Sequence, residues 1–394
     1  MTHAAVGISE IVFLGAMCAA ATAPYQVIDL STLPGGITSS ARDMNASGDI
    51  VGTSTIVTDL RGFVWNGVMV PLAPLAGDGH SSAVTINGVG QVAGVSFDLG
   101  EENVHGFVWS DGTTTDLGSL APCGINDAGS VAGFRSLSTA AIALADRAAL
   151  WQGGMVTDLA TLGGQFGYAT AISNWGQIVG WSFNATHAAP RATLWLNGVV
   201  YDLGTLGGAA SQAYDVASDA GYVVGVADTA QAKPHAFRLR INAAGTVTSR
   251  VDLGELSGGA SYAYGVNNNG DVVGTSDSRA FLWRGGAMVD LNTQIPAGAG
   301  WTLETARAIS DGGRIAGTGR HLGAERAYLL AAVGDIDGDG DVDLGDYGRF
   351  SACLGGPGVT VPPLPCTAMD FLVCDVDADG DVDLGDYAAV AAAF

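Results

Sequence analysis

The chain has 394 residues, 59 of them glycine, with only 14% charged and a formal net charge of −23. One lysine, Lys233, stands beside fifteen arginines, and so acidic a balance excludes nucleic-acid binding. No run reaches the eighteen apolar residues that a membrane span requires. Short apolar runs rich in valine and threonine between glycine turns predict an all-β chain.

The first segment, MTHAAVGISEIVFLGAMCAAATAPYQV, carries an apolar stretch from Ile11 to about Ala23 that ends in small residues. This length suits a secretory leader over residues 1–23 and a secreted product, extracellular or at the cell surface. The n-region has no Lys or Arg and contains Glu10, and the alternative is a buried first strand. Cleavage would remove Cys18 and leave Cys123, Cys353, Cys366 and Cys374. An oxidising compartment favours a disulfide, first of all Cys353 with Cys366 around LGGPGVTVPPLP. Cys123 falls within a predicted strand and is expected to be a buried thiol.

From residue 24 to 331 one phrase recurs. The pattern Gly-x-(Val/Ile)-(Val/Ala)-Gly begins at Gly48, Gly90, Gly129, Gly176, Gly221, Gly270 and Gly313, at spacings of 39 to 49 residues. An apolar segment with a polar turn precedes each copy, as in AVTIN or ARAIS, and a segment such as FVW or TLW follows it. A glycine turn then leads to MVPL, TTDL or MVDL. Four short strands per unit, named a to d, predict a seven-bladed β-propeller of four-stranded blades. The seventh unit lacks strand d, whereas YQVIDL, Tyr25 to Leu30, has its signature and precedes the first a. The N-terminal strand is therefore expected to close the ring by pairing with Ala327 to Leu330, since an open edge invites aggregation. Asp29 is then expected beside Arg326.

Two residues before the Phe position of strand c stand Arg61, His105, Arg147, Arg191, His235, Arg279 and Arg326. In four units an aspartate follows eleven residues later: Asp116, Asp158, Asp202 and Asp290. A c–d hairpin that sets Phe281 opposite Asp290 puts Arg279 diagonal to it, within reach of a long side chain. One ion pair per blade is the structural reading, and a ring of cations awaiting an anion is the functional one.

The phrases His235-Ala236-Phe237, "HGF" at His105 and "RAF" at Arg279, with the frame matched best from Asp158 to Leu291, resemble the bacterial extracellular HAF repeats. The resemblance spans about Tyr25 to Leu330. It implies a secreted propeller-like domain and brings no established catalytic activity.

Residues 334–394 carry thirteen Asp and no Glu against Arg349 alone, about half the net charge in the last sixth of the chain. On a twelve-residue calcium loop, Asp335, Asp337, Asp339, Asp343 and Asp346 take positions 1, 3, 5, 9 and 12. Gly340 takes the sharp turn at position 6, and Asp341 offers its carbonyl at position 7. The second phrase repeats this with Asp375, Asp377, Asp379, Gly380, Asp381, Asp383 and Asp386. Hard oxygen ligands at this spacing suit two Ca²⁺ ions, and empty clusters repel themselves, so binding is expected to fold this unit and leave the propeller indifferent. Asp at position 12, and no helix before either loop, resemble the type I dockerin, a small α-helical duplicated module. The resemblance implies a cohesin-like partner or cell-surface component. In place of that family's hydroxyl pair stand Leu344-Gly345 and Leu384-Gly385, and its Lys-Arg step is reduced to Arg349, so calcium carries over and cohesin binding does not.

No catalytic residues are assigned. The chain has no Gly-x-Ser-x-Gly elbow, His-Glu-x-x-His or phosphate loop. Glu101, Glu102 and Glu255 are candidates for a glycosidase acid, and Trp175, Trp181 and Trp301 for sugar platforms or packing. The leading reading is a non-catalytic propeller that binds an extracellular partner or glycan, tethered by the calcium module. The alternatives are a polysaccharide-degrading hydrolase or lyase with a dockerin, and a structural surface protein. Non-repeated carboxylates in the channel would favour the enzyme.

Overall fold

The computed structural model describes residues 24–57, 59–98, 100, 104–136, 146–186 and 189–393. The expected leader, with Cys18, lies outside the described residues, as do Glu101 and Glu102. Each repeat forms one antiparallel sheet in the order a-b-c-d, over 36–72, 80–118, 121–158, 163–204, 207–252 and 261–290 for blades 1 to 6. Blade 7 takes a, b and c from Trp301–Ile309, Ile315–His321 and Ala324–Ala332, and its strand d is Tyr25–Asp29. That closing pair runs antiparallel with Val27 opposite Leu330 and Asp29 opposite Tyr328, and Leu30 N donates to Ala327 O. Seven blades close without remainder, as the strand count predicts. The a strands pack side by side around the ring, and blade 7 touches blade 1.

The core lies between blades. Ala93, Val108 and Leu117 of blade 2, for example, meet Ile125, Val131 and Ala149 of blade 3, with Leu120 of the intervening connection among them. A buried serine on strand a latches several blades to the one before. Ser81 Oγ accepts from Gly62 N (3.1 Å) and donates to Leu72 O (2.7 Å), and Ser211 does the same with Ala192 N and Gly204 O. Repetition of one hydroxyl thus sets the blade-to-blade register.

The expected c–d ion pairs form in part. Arg279 reaches Asp290 at 2.9 Å with Phe281 opposite Asp290, and Arg191 reaches Asp202 at 3.1 Å. Elsewhere the expectation fails for local reasons. Arg135 stands directly across strand b from Arg147 and takes Asp158 with two bonds. His105 meets Asp78, while Asp116 accepts from Gly118 N within its own turn. Asp29 pairs with His321 at 2.7 Å and not with Arg326, whose guanidinium crosses to Ile37 O of blade 1.

The C-terminal unit has three helices: α1, Leu344–Cys353; α2, Ala368–Cys374; and α3, Leu384–Ala391. Helix α2, capped by Thr367, ends directly before the second loop, where the sequence reading expects no helix. Each aspartate loop ends in a capping box, Asp343 with Asp346 and Asp383 with Asp386, which starts α1 and α3. Cys353 and Cys366 are disulfide-bonded, as the spacing suggests, and Cys374 is free and buried. This unit does not stand apart from the propeller. Ile336, Phe350, Phe371 and Val382 share one core with Ile28, Leu30 and Leu329 at the ring closure and with Met44, Ile50 and Trp65 of blade 1. Gln26 Nε2 donates to Val373 O and Arg314 Nη2 to Ile336 O, both at 2.7 Å and both buried. No helix among the described residues is long and apolar enough to cross a membrane.

Candidate functional site

The second glycine of every repeat has a steric cause. A β-carbon at Gly52, Gly94, Gly133, Gly180, Gly225, Gly274 or Gly317 would overlap a carbonyl oxygen of strand a, such as that of Tyr262 at Gly274. That carbonyl comes close because strand a bulges two residues later. The a–b register shifts between Ala41 and Asp43, Ala83 and Thr85, Pro122 and Gly124, and Ala169 and Ala171. It shifts again between Ala213 and Asp215, Ala263 and Gly265, and Ala306 and Ala308. The extra residue of each bulge is Arg42, Val84, Cys123, Thr170, Tyr214, Tyr264 or Arg307, and all seven line the central cavity of about 400 Å³. A bulge re-aims a side chain and is common beside functional sites. Seven copies of one backbone device therefore present five residue types, with Arg and Tyr each used twice, to one channel.

The a–b turns form the channel mouth and are tied from blade to blade. Asn87 Nδ2 donates to Asn126 O (2.8 Å), Asn126 Nδ2 to Ser173 O (3.2 Å) and Asn267 Nδ2 to Ser310 O (2.9 Å). One residue outward, Asp127 N donates to Asn174 Oδ1 and Asn268 N to Asp311 Oδ1. These bonds make the mouth a rigid polar belt that includes Asp127, Asp219 and Asp311.

Within the channel, two carboxylates do not follow the repeat. Asp43 of blade 1 accepts from Thr85 Oγ1 (2.8 Å) and Ile86 N (3.0 Å) of blade 2, and Asp215 of blade 5 accepts from Val266 N (3.0 Å) of blade 6. Each carboxylate thus satisfies a backbone donor beside the next blade's bulge. Burial raises both from the ordinary carboxylate range, and burial with the charge of Asp43 pushes Asp215 up to about 7. On the bulges themselves, Tyr214 and Tyr264 stack at 5.7 Å between centroids, and Arg307 Cζ lies 4.2 Å from the Tyr264 ring. Cys123, expected as a buried thiol, is half-buried and faces the channel, and burial pushes its thiol up to about 12.

Sequence reasoning misses this site because the repeat frame draws attention to what recurs. The usable signal is the opposite one. Three residues before the turn residue, which is Asn or Ser in six blades and Ala217 in blade 5, each otherwise repetitive a segment holds a position that varies among five residue types. Of the candidates named from sequence, Glu255 sits 3.1 Å from His235 Nε2, outside the channel lining. Trp181 stacks on Tyr168 (4.1 Å) and Trp301 on His321 (4.7 Å), which are packing roles, while Trp175 is exposed in a mouth turn.

The aspartate loops bring their carboxylates together as the spacing implies. Oxygens of Asp335, Asp337 and Asp346 lie within 4.8 Å of one another, as do those of Asp341, Asp343 and Asp346. In the second loop the matching groups are Asp375, Asp377 and Asp386, and Asp381, Asp383 and Asp386. Asp339 and Asp379 accept from Asp341 N and Asp381 N and join neither cluster. Asp346 is buried and shared, accepting from Ile336 N and Asp337 N on one oxygen and Asp343 N on the other. Asp386 repeats the arrangement with Val376 N, Asp377 N and Asp383 N. Burial first, then the charge of Asp386, pushes Asp375 up to about 6, the mark of carboxylates crowded together.

No family model and no curated protein matches the chain. Among solved structures it is similar to TolB from Acinetobacter baumannii, at 14% identity and TM-score 0.38 over 76% of this chain and 65% of that one. It thus spans somewhat under two thirds of TolB. A gluconolactonase from Xanthomonas campestris is 11% identical, with TM-score 0.40 over 78% of this chain and 90% of its own. A streptogramin B lyase is 10% identical, with TM-score 0.46 over 78% and 98%. Likeness at this level concerns the arrangement of strands alone, and the chemistry must come from the residues of this chain.

Proposed function

We propose that the chain is a secreted binding propeller that takes a small ligand or the end of a glycan chain into its central channel. The observation that carries this reading is the set of seven bulges, whose residue type varies from blade to blade while all seven line one cavity. A cavity of about 400 Å³ lies within the roughly 300–1,000 Å³ usual for small-molecule sites. The enzyme reading gains from Asp43 and Asp215, which are non-repeated channel carboxylates. Two facts weigh against it: both already accept backbone donors of the next blade, and no histidine lines the channel among the described residues. A glycan-array screen with product analysis decides between them. Binding without turnover is expected; turnover abolished by Asp215→Asn would replace the binding reading with the enzyme.

In the C-terminal unit, Asp335, Asp337, Asp341, Asp343 and Asp346 would hold one Ca²⁺, and Asp375, Asp377, Asp381, Asp383 and Asp386 a second, with Asp339 and Asp379 completing the position-5 ligands. The clustered carboxylate oxygens support this assignment, because such groups repel one another without a cation. Calcium titration of the whole chain should yield two sites by calorimetry, one lost in Asp335→Ala and the other in Asp375→Ala. The dockerin-like loops support a role for this unit in attachment to a cohesin-like protein or cell-surface component. Because Leu344-Gly345 and Leu384-Gly385 replace that family's recognition pair, a cohesin module is expected to fail in a pull-down, and its capture would restore cohesin as the partner.

A further inference from the structure

The seven bulge residues are not spread evenly by chemistry. Tyr214, Tyr264, Arg307 and Arg42 come from blades 5, 6, 7 and 1 in turn and form one continuous arc of the channel wall. Val84, Cys123 and Thr170 on the remaining arc bring no charge. The two arginines are unusual in this chain. It has 39 acidic residues for 16 basic ones, yet among the described residues the side chains of Arg42 and Arg307 make no hydrogen bond or ion pair. Arg307 instead lies over the Tyr264 ring, its Cζ 4.2 Å from the centroid. Such a contact uses the face of the guanidinium and leaves its N–H donors available to a planar acceptor.

Resting on the reading of the channel as a binding site, we propose that its ligand carries a single carboxylate on a ring. The carboxylate lies between Arg42 and Arg307, and the apolar face of the ring lies against the tyrosine arc. The electrostatics favour one charge over many. The same channel lining carries Asp43 and Asp215, and the belt at the mouth adds Asp127, Asp219 and Asp311, which oppose a polyanion threading through. A terminal uronic-acid sugar and a free aromatic acid share the required chemistry.

Calorimetry on the full chain with galacturonic acid, benzoate, galactose and polygalacturonate tests the proposal. One or both monocarboxylates should bind at least tenfold more tightly than galactose, and polygalacturonate no more tightly per site than galacturonic acid. Preference for galacturonic acid identifies a sugar source and preference for benzoate an aromatic one. Arg42→Gln, at an exposed side chain whose loss leaves the fold intact, and Arg307→Gln should each weaken binding by roughly tenfold or more. Arg320→Gln, on strand b of blade 7 and outside the channel lining, should leave it unchanged. Equal affinity for galactose and the acids, or acid binding indifferent to Arg42→Gln, overturns the proposal. If neutral sugars bind and channel variants abolish that binding, the charge assignment falls while the channel reading stands. If no ligand responds to any channel variant, both fall.

Discussion

A β-carbon placed on Gly274 meets the Tyr262 carbonyl, so this glycine is fixed by the bulge beside it and not by its own backbone angle. Gly274→Ala should therefore cost about 1–3 kcal/mol as an overpacked site, read as a lower midpoint in chemical denaturation. A variant as stable as the parent would mean that the bulge can relax freely. Asp215 carries a second prediction. With its folded value raised to about 7 from about 3.9 in an unfolded chain, the folded state binds the proton more tightly. That contribution is fully present below about pH 4 and is lost as pH rises through about 7. Asp43 shifts in the same direction and faces the same cavity. Asp215→Asn should flatten the fall in stability between those pH values; an unaltered profile would assign the slope to other groups. The repeat glycines were legible as a pattern, but their cause was not, because a bulge is a property of two strands together.

Hairpins show how far pairing can be read from spacing. Arg279 and Asp290 meet as their eleven-residue separation predicts, since a tight turn fixes the register. A double-mutant cycle on this partly exposed pair should give a coupling of about 0.2–1 kcal/mol, and simple additivity would show that the pair forms without stabilising the blade. The same spacing misleads for Arg147 and Asp158. Arg135 lies opposite Arg147 on the neighbouring strand, and two like charges compete for one carboxylate. Such competition depends on strand b, which the c–d spacing does not contain. The aspartate loops were more legible, because their ligands and caps all lie within twelve consecutive residues.

At the scale of the whole molecule, the count of strands revealed the closed ring, yet gave no sign that the C-terminal unit is built into it. The reason is that its contacts are long-range and apolar: Phe371 and Val382 meet Leu30 and Leu329 through a core that no local motif announces. Calcium is therefore expected to stabilise the propeller as well as its own loops. At a hundredfold excess over the dissociation constant, each site adds about 2.7 kcal/mol. Calorimetry should show a single transition that moves down on chelation; a calcium-independent propeller transition would show that the shared core does not couple the two parts. Arg314→Gln removes the buried bond to Ile336 and should weaken that coupling. Deleting residues 25–30 should leave the edge of Ala324–Ala332 unpaired and drive aggregation, visible by size-exclusion chromatography.

The ring closure also sets a clock. Tyr25–Asp29 is made before every other strand of the ring, and its partner Ala324–Ala332 follows some three hundred residues later. At about 5–20 residues per second, translation separates them by roughly 15–60 s. For that interval the nascent chain carries an unsatisfied strand with no mate anywhere in the molecule. The hazard of misassembly is thus governed by the pace of synthesis, and slowing the ribosome should lower the yield of closed rings without changing the stability of those that form.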